Sequence, residues 1–174
     1  CDITNLSTIK GISVYAQHID PIEFGRNTGF TLPEALKDAG AKGVLINHSE
    51  HRLPPYTIAN TIAKAKKIGL KTVVCVENAK EAKELAAYSP DYIAIEPPEL
   101  IGSGNSVSKT NTKIITECIS QVGSIPLLTG AGITNTEDVK IATKLGSIGI
   151  LVASGVVLSE NPKKALADLI AGFN

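Results

Sequence analysis

The chain reads as an α/β protein whose parallel strands close into a (β/α) barrel. Three features predict this: alternating strand-like and helical segments, a weak internal repeat, and polar residues collected at one kind of junction. Six short apolar runs lie at about Ile12–Ala16, Gly43–Asn47, Lys71–Val76, Asp91–Glu96, Ile125–Thr129 and Ile148–Val152. Each is continuously hydrophobic rather than alternating, as a strand covered on both faces requires.

Helical segments separate these runs, and their ends announce them. Pro33 sits at a first-turn position and Gly40 at an end, while Ile58, Ile62, Ala65 and Ile68 recur at helical spacing ahead of Gly69. Asn78 is placed to cap a helix over 79–88, Asn135 or Thr134 one over 136–145 ahead of Gly146, and Asn161 with Pro162 opens the last. The repeat runs through this pattern as Ala39-Gly40-Ala41-Lys42-Gly43-Val44, Ile68-Gly69-Leu70-Lys71-Thr72-Val73 and Leu145-Gly146-Ser147-Ile148-Gly149-Ile150. Each copy is a helix closed by Gly, two linking residues and a buried strand. Such regularity favours a closed barrel over an open doubly wound sheet, and no GxGxxG follows the first strand.

With 174 residues, one domain is the expectation. Seventeen basic and seventeen acidic residues cancel without clustering, which argues against a nucleic-acid or anionic-membrane partner. No apolar run approaches a membrane span and the first residues carry no signal-peptide pattern, so a cytoplasmic protein is expected. Cys1, Cys75 and Cys118 are odd in number and lack metal-ligand spacing, so neither a disulfide framework nor a metal site is expected. Cys75 reads as a small core residue and Cys118 as an inward-facing helix residue. Met is absent even at position 1, which points to a processed product or a piece of a longer chain.

The helix-to-strand links are bland. The strand-to-helix links carry Gln17-His18-Ile19-Asp20, Asn47-His48-Ser49-Glu50, Glu77-Asn78, Glu96-Pro97-Pro98-Glu99, Gly130-Ala131-Gly132 and Ala153-Ser154-Gly155. Barrel enzymes place their chemistry on that face. Glu96, delivered by an apolar strand, suits proton abstraction. Gly102 and Gly104, like Gly130 with Gly132 and like Gly155, allow backbone N–H groups to approach an anionic ligand, and two such exits in the last two strands point to a phosphate pocket. His48 follows its strand directly, and Ser49 with Glu50 is expected to open a helix behind it whose N-terminus keeps the ring neutral. A neutral imidazole hydrogen-bonds a carbonyl oxygen that gains charge, so His48 and a carboxylate base together suit enolisation of a phosphorylated aldehyde or ketone.

Asn47-His48-Ser49-Glu50-His51-Arg52, Glu96-Pro97-Pro98-Glu99-Leu100-Ile101-Gly102-Ser103-Gly104, Leu128-Thr129-Gly130-Ala131-Gly132-Ile133 and Leu151-Val152-Ala153-Ser154-Gly155-Val156 occur in this order. Taken together they resemble the triosephosphate isomerase family in its short archaeal form, over essentially the whole chain. The resemblance implies a (β/α)8 TIM barrel of which about six βα units, the third to the eighth, are present. It implies an aldose-ketose isomerase of glycolysis and gluconeogenesis acting on a small phosphorylated triose, without cofactor or metal. Glu96 is then the base and His48 the electrophile, with Glu50 in support. Residues 97–104 form a lid in which Ile101 closes over the substrate and Gly102 reaches its phosphate, and Gly132, Ala153, Ser154 and Gly155 supply further phosphate contacts. Glu99 is a lid residue on this view, and His18 and Asp20 are structural or interface groups. The Gly25-Arg26-Asn27-Thr28-Gly29 stretch resembles the family's intersubunit loop, which implies a homo-oligomer, a tetramer or dimer.

The family's first strand ends in Asn-x-Lys, and no such motif follows the first strand here, Ile12–Ala16. Residues 1–10 resemble the end of the family's second helix, so residues 1–174 are expected to form a single TIM-barrel domain that is incomplete at its N-terminus. Other readings are another phosphate-binding barrel enzyme and a non-catalytic barrel fragment that lacks the first-strand Lys. A Schiff-base aldolase needs a Lys at a strand end, whereas Lys42 and Lys71 lie at strand starts.

Overall fold

The computed structural model describes residues 2–97 and 112–173, and within them the expected alternation forms. In chain order the elements are α1 (Ile3–Leu6), β1 (Tyr15–Ala16), α2 (Pro33–Asp38), β2 (Gly43–Ile46), α3 (Pro55–Lys67), β3 (Lys71–Val76), α4 (Ala79–Ala86) and β4 (Tyr92–Ile95). They continue as α5 (Thr112–Val122), β5 (Leu127–Thr129), α6 (Thr136–Lys144), β6 (Gly149–Ile150), α7 (Ser154–Val157) and α8 (Pro162–Ile170), with a 3-10 turn at Ala171–Phe173. The chain divides into two compact units, Cys1–Cys75 with Tyr88–Asp91, and Val76–Ala87 with Tyr92–Asn174.

In the first unit β1 runs parallel to β2 and β2 to β3, Gly43 standing opposite both Tyr15 and Lys71. In the second, β4 runs parallel to β5 and β5 to β6, with Ile93 opposite Leu127 and Leu128 opposite Gly149. Parallel neighbours cannot be joined by a tight turn, so a helix must carry the chain back between them.

The repeat seen in the sequence has one physical cause, a shared way of ending a helix. Gly40, Gly69 and Gly146 adopt φ values of 105°, 77° and 105°, the left-handed region that costs glycine nothing. Gly40 N–H donates to Lys37 O and Ala41 N–H to Leu36 O; Gly69 and Leu70 do the same to Lys66 and Ala65, and Gly146 and Ser147 to Thr143 and Ala142. These paired bonds satisfy the last helical carbonyls and turn the chain toward the next strand. The residue after each Gly is buried, so the helix stop also feeds the core.

Helix starts are equally regular. Asn78 Oδ1 accepts Glu81 N–H at 2.9 Å, while the Glu81 carboxylate accepts Glu77 N–H at 2.8 Å. At α6, Asn135 Oδ1 accepts Asp138 N–H at 3.1 Å and the Asp138 carboxylate accepts Thr134 N–H at 2.9 Å. Asn135 is therefore the cap, and Thr134 serves the reciprocal bond. Asn161 caps α8 through Lys164 N–H at 3.0 Å. Each cap contributes about 1 kcal/mol and fixes the strand-to-helix junction ahead of it.

Ile58 and Ile62 from α3 are fully buried in the first unit with Val44, Ile46 and Val74, and Ile93, Ile95, Ile115 and Cys118 are buried in the second. Each such aliphatic side chain contributes about 1.5–3 kcal/mol. Burial pushes the Cys118 thiol up to about 12, which leaves it an inert packing residue, and Cys75 is buried likewise.

The expectation of full coverage fails at the first and last strands. Ile12–Ala16 contracts to Tyr15–Ala16 with Ile12 at 55% exposure, and Ile148–Val152 to Gly149–Ile150 with Ile148 at 57%. Among the described residues β1 pairs with β2 alone and β6 with β5 alone. A strand with one neighbour leaves a flank and its apolar residues open.

Two polar clusters brace the first unit. Lys64 is almost fully buried between Glu23, at 2.8 Å, and Glu34, at 2.7 Å, which ties the loop after β1 to α2 and α3. The bonds to Glu23 and Glu34 hold the Lys64 ammonium above its usual range. Asp91 accepts Thr72 N–H and Oγ1–H, each at 3.0 Å, and the Lys71 ammonium at 2.6 Å. Burial pushes the Asp91 carboxyl up, but Lys71 and Thr72 outweigh it and leave it below its ordinary value of 3.8. A depressed folded-state value means stabilisation present above the unfolded value and lost as pH falls through the folded one. Asp91→Asn is expected to cost about 1–2 kcal/mol at pH 7, and the gap between parent and variant in urea melts should close once the pH falls below the ordinary aspartate range.

Candidate active site

In the first unit, β2 delivers Asn47 and His48. Asn47 has φ 65°, uncommon for a residue other than Gly, and it turns the chain off the strand at once. Its Nδ2 donates to Cys75 O at 3.0 Å, its Oδ1 accepts Leu53 N–H at 3.0 Å, and its carbonyl accepts from Arg52 at 3.2 Å. His48 follows with its side chain 28% exposed. Glu50 N–H donates to His48 Nδ1 at 3.3 Å, which places the proton of the neutral ring on Nε2.

No helix opens at Ser49. His51 N–H donates to His48 O at 2.8 Å in a tight turn, and α3 begins only at Pro55. The reason is local: with Asn47 left-handed and its side chain holding Leu53 N–H, residues 47–53 close into a loop before helical geometry can begin. The backbone N–H of Glu50 takes the place expected of a helix N-terminus. The Glu50 carboxylate is 3.6 Å from Nδ1 and 89% exposed, so its support of His48 comes mainly through the main chain. His18 donates toward Asp20 at 3.1 Å and its ring lies 4.4 Å from that of His51. Asp20 also accepts Thr31 N–H at 2.6 Å, which closes the loop after β1.

In the second unit, β4 delivers Glu96. Its N–H donates to Val76 O at 2.9 Å and Ile95 O accepts Gly130 N–H at 2.9 Å, so the main chain is held from both sides. Glu96 is 7% exposed. Its side chain lies on Gly130: a Cβ there would stand 2.4 Å from Glu96 Cγ and 2.5 Å from Oε1. Gly130 was legible only as part of a Gly pair; that it seats the carboxylate is visible only once the strands are paired. Pro97 is buried beside Glu96.

The exits of β5 and β6 meet in the same unit. Ala131 and Gly132 have φ 70° and 68°, two successive left-handed residues. Ile133 O would lie 2.9 Å from a Cβ on Gly155, and Thr134 Cα 3.7 Å from it, so Gly155 is small because the β5 exit presses against it. Ala153 precedes α7, which opens at Ser154. Ile133 packs with Val139 and Leu169, and Ile150, Val152 and Val156 cover them. Gly155, with Ala153 and Ser154 just before it, thus lies against the turn that follows Gly132. Ile101, Gly102 and Glu99, with the lid beyond Pro97, lie outside the described residues. Among the described residues no His, Cys, Asp and Glu cluster could hold a metal ion, and no helix is long and apolar enough to cross a membrane.

Parallel strands returned by helices, with polar exits at the strand C-terminal ends of each unit and Gly-containing ones in the second, define an α/β-barrel type of enzyme. Known proteins narrow the class. The triosephosphate isomerase family profile matches residues 2–172. The triosephosphate isomerase of Methanobacterium bryantii is 47% identical over 174 residues, covering 98% of this chain and 77% of that protein. That of Methanocaldococcus jannaschii is 51% identical over 163 residues, covering 91% of this chain and 74% of its own length, and that of Saccharolobus solfataricus 46% over 171 residues, covering 97% and 75%. The chain belongs to the triosephosphate isomerase family. Its fold is accordingly a (β/α) barrel, with about six βα units in this chain.

Proposed function

We propose that the protein interconverts D-glyceraldehyde 3-phosphate and dihydroxyacetone phosphate, an aldose-ketose isomerisation in which a proton moves between adjacent carbons. The family match supports the reaction, and the observation that carries the chemistry is the buried strand-end carboxylate of Glu96 seated on Gly130. Glu96 takes the proton from the carbon beside the carbonyl, the electron pair moves onto oxygen to give an enediolate, and Glu96 returns the proton to the neighbouring carbon. His48 donates from Nε2 to the oxygens as they gain charge, an interaction stronger in the transition state than in the ground state. Glu50 holds the ring through its N–H. Gly132, Ala153, Ser154 and Gly155 bind the phosphate through main-chain donors, with Ile101 and Gly102 closing over the substrate to exclude water. No step requires a cofactor or metal.

The same reading makes the protein cytoplasmic and a homo-oligomer, a tetramer or dimer. The exposed Phe24 and Phe30 on the loop held by Lys64 support the second point, since they give that loop an apolar face. Schiff-base chemistry at Lys71 has little support, because that ammonium is paired with Asp91 at the start of β3.

Turnover of D-glyceraldehyde 3-phosphate by the full-length protein, compared with unphosphorylated D-glyceraldehyde, tests the proposal. The phosphorylated triose should be favoured in kcat/KM by at least about 100-fold, because binding energy from the non-reacting phosphate is used at the reacting carbons. Equal rates on both, or isomerisation of neither, would overturn it.

A further inference from the structure

We propose that Asn47 is a positioning residue for His48, holding the imidazole in the orientation and tautomer that the isomerisation uses; the inference rests on the role given to His48 above. Asn47 is 2% exposed, and its φ of 65° lies where side chains other than glycine's are strained. Asn tolerates this region better than most residues because its short amide bonds locally. Here the amide does more than satisfy itself. Nδ2 grips the end of β3 at Cys75 O and Oδ1 grips Leu53 N–H beyond the turn, while Arg52 holds the Asn47 carbonyl. The residue immediately before His48 is thus fixed to the neighbouring strand and to the far end of its own loop.

The direction in which His48 leaves the strand follows from that fixation. A left-handed residue ends the alternation of side chains along β2 and sends the chain into the 48–51 turn. That turn brings Glu50 N–H to Nδ1, and the bond leaves the proton on Nε2. Strain held at a strand end by three hydrogen bonds is expected where geometry serves chemistry.

Asn47→Gly separates the two properties, since glycine keeps the left-handed backbone and loses both side-chain bonds. Its kcat on D-glyceraldehyde 3-phosphate should fall about 10- to 100-fold with KM within about threefold, as for a misplaced catalytic group. Nitrogen-15 NMR of the His48 ring should change from a single Nε2–H tautomer to a mixture. A lowered Tm with kcat and the ring spectrum unchanged would assign Asn47 to stability alone and overturn the inference. His48→Gln separates the levels: parental turnover in that variant sinks the role of His48 and this inference with it. Parental turnover in Asn47→Gly beside a crippled His48→Gln sinks this inference alone.

Discussion

Gly130→Ala is expected to remove most of the turnover at a modest cost in stability. The added Cβ would stand 2.4 Å from Glu96 Cγ, 2.5 Å from Oε1 and 2.8 Å from Cδ, closer than carbon atoms approach. Neither side can yield cheaply. The Gly130 main chain is held by its N–H bond to Ile95 O, and the Glu96 main chain by its bond to Val76 O. What gives is the Glu96 side chain, which must leave its seat through its first torsions. A catalytic group moved by about 1 Å costs on the order of 100-fold in rate. Stability should fall as well, by about 1–3 kcal/mol, because a Cβ forced into a packed, buried contact strains the groups around it. Steady-state kinetics with a thermal melt on the same sample check both halves. Turnover within about threefold of the parent would show that the Glu96 position seen here does not matter to the reaction.

What could be read from the sequence was the part governed by neighbours along the chain. Gly40, Gly69 and Gly146 end their helices through bonds that reach back three and five residues, so the repeat marks a local event and survives without any knowledge of the fold. Asn78, Asn135 and Asn161 act over three residues in the same way. Glu96 and His48 stood out because a polar residue at the end of an apolar run is a local contrast. The errors lie where a distant partner decides. Ser49 and Glu50 are the exception: they carry a plausible helix start, and the local bond from Leu53 N–H to Asn47 closes the loop in its place. Ile12 and Ile148 have strand character, yet β1 and β6 each have a single partner among the described residues. Gly130 stands out in the sequence only as one of a glycine pair, and its contact with Glu96, thirty-odd residues earlier, shows only once the strands are paired. The signal available for Asn47 was its type: Asn directly after a buried strand is a residue suited to a left-handed turn.

Glu96→Asp should retain the carboxylate and lose the reaction. Removing one methylene withdraws the base from the carbon that it must reach, and kcat should fall by about 100-fold or more with KM little changed. Glu96→Gln removes the base altogether and should cost about 10²–10⁴-fold. Normal turnover in Glu96→Asp would sink the assignment of Glu96 as base. The two substitutions at this seat also test one another. If Gly130→Ala acts only by displacing Glu96, it should add nothing once the carboxylate is gone, so Glu96→Ala and the double variant Glu96→Ala/Gly130→Ala should have the same residual kcat. Residues that act as a unit show such non-additivity, whereas independent ones multiply their losses. A further drop in the double variant would mean that Gly130 serves the reaction by another route, such as a main-chain contact with the substrate in the turn where Ala131 and Gly132 are both left-handed.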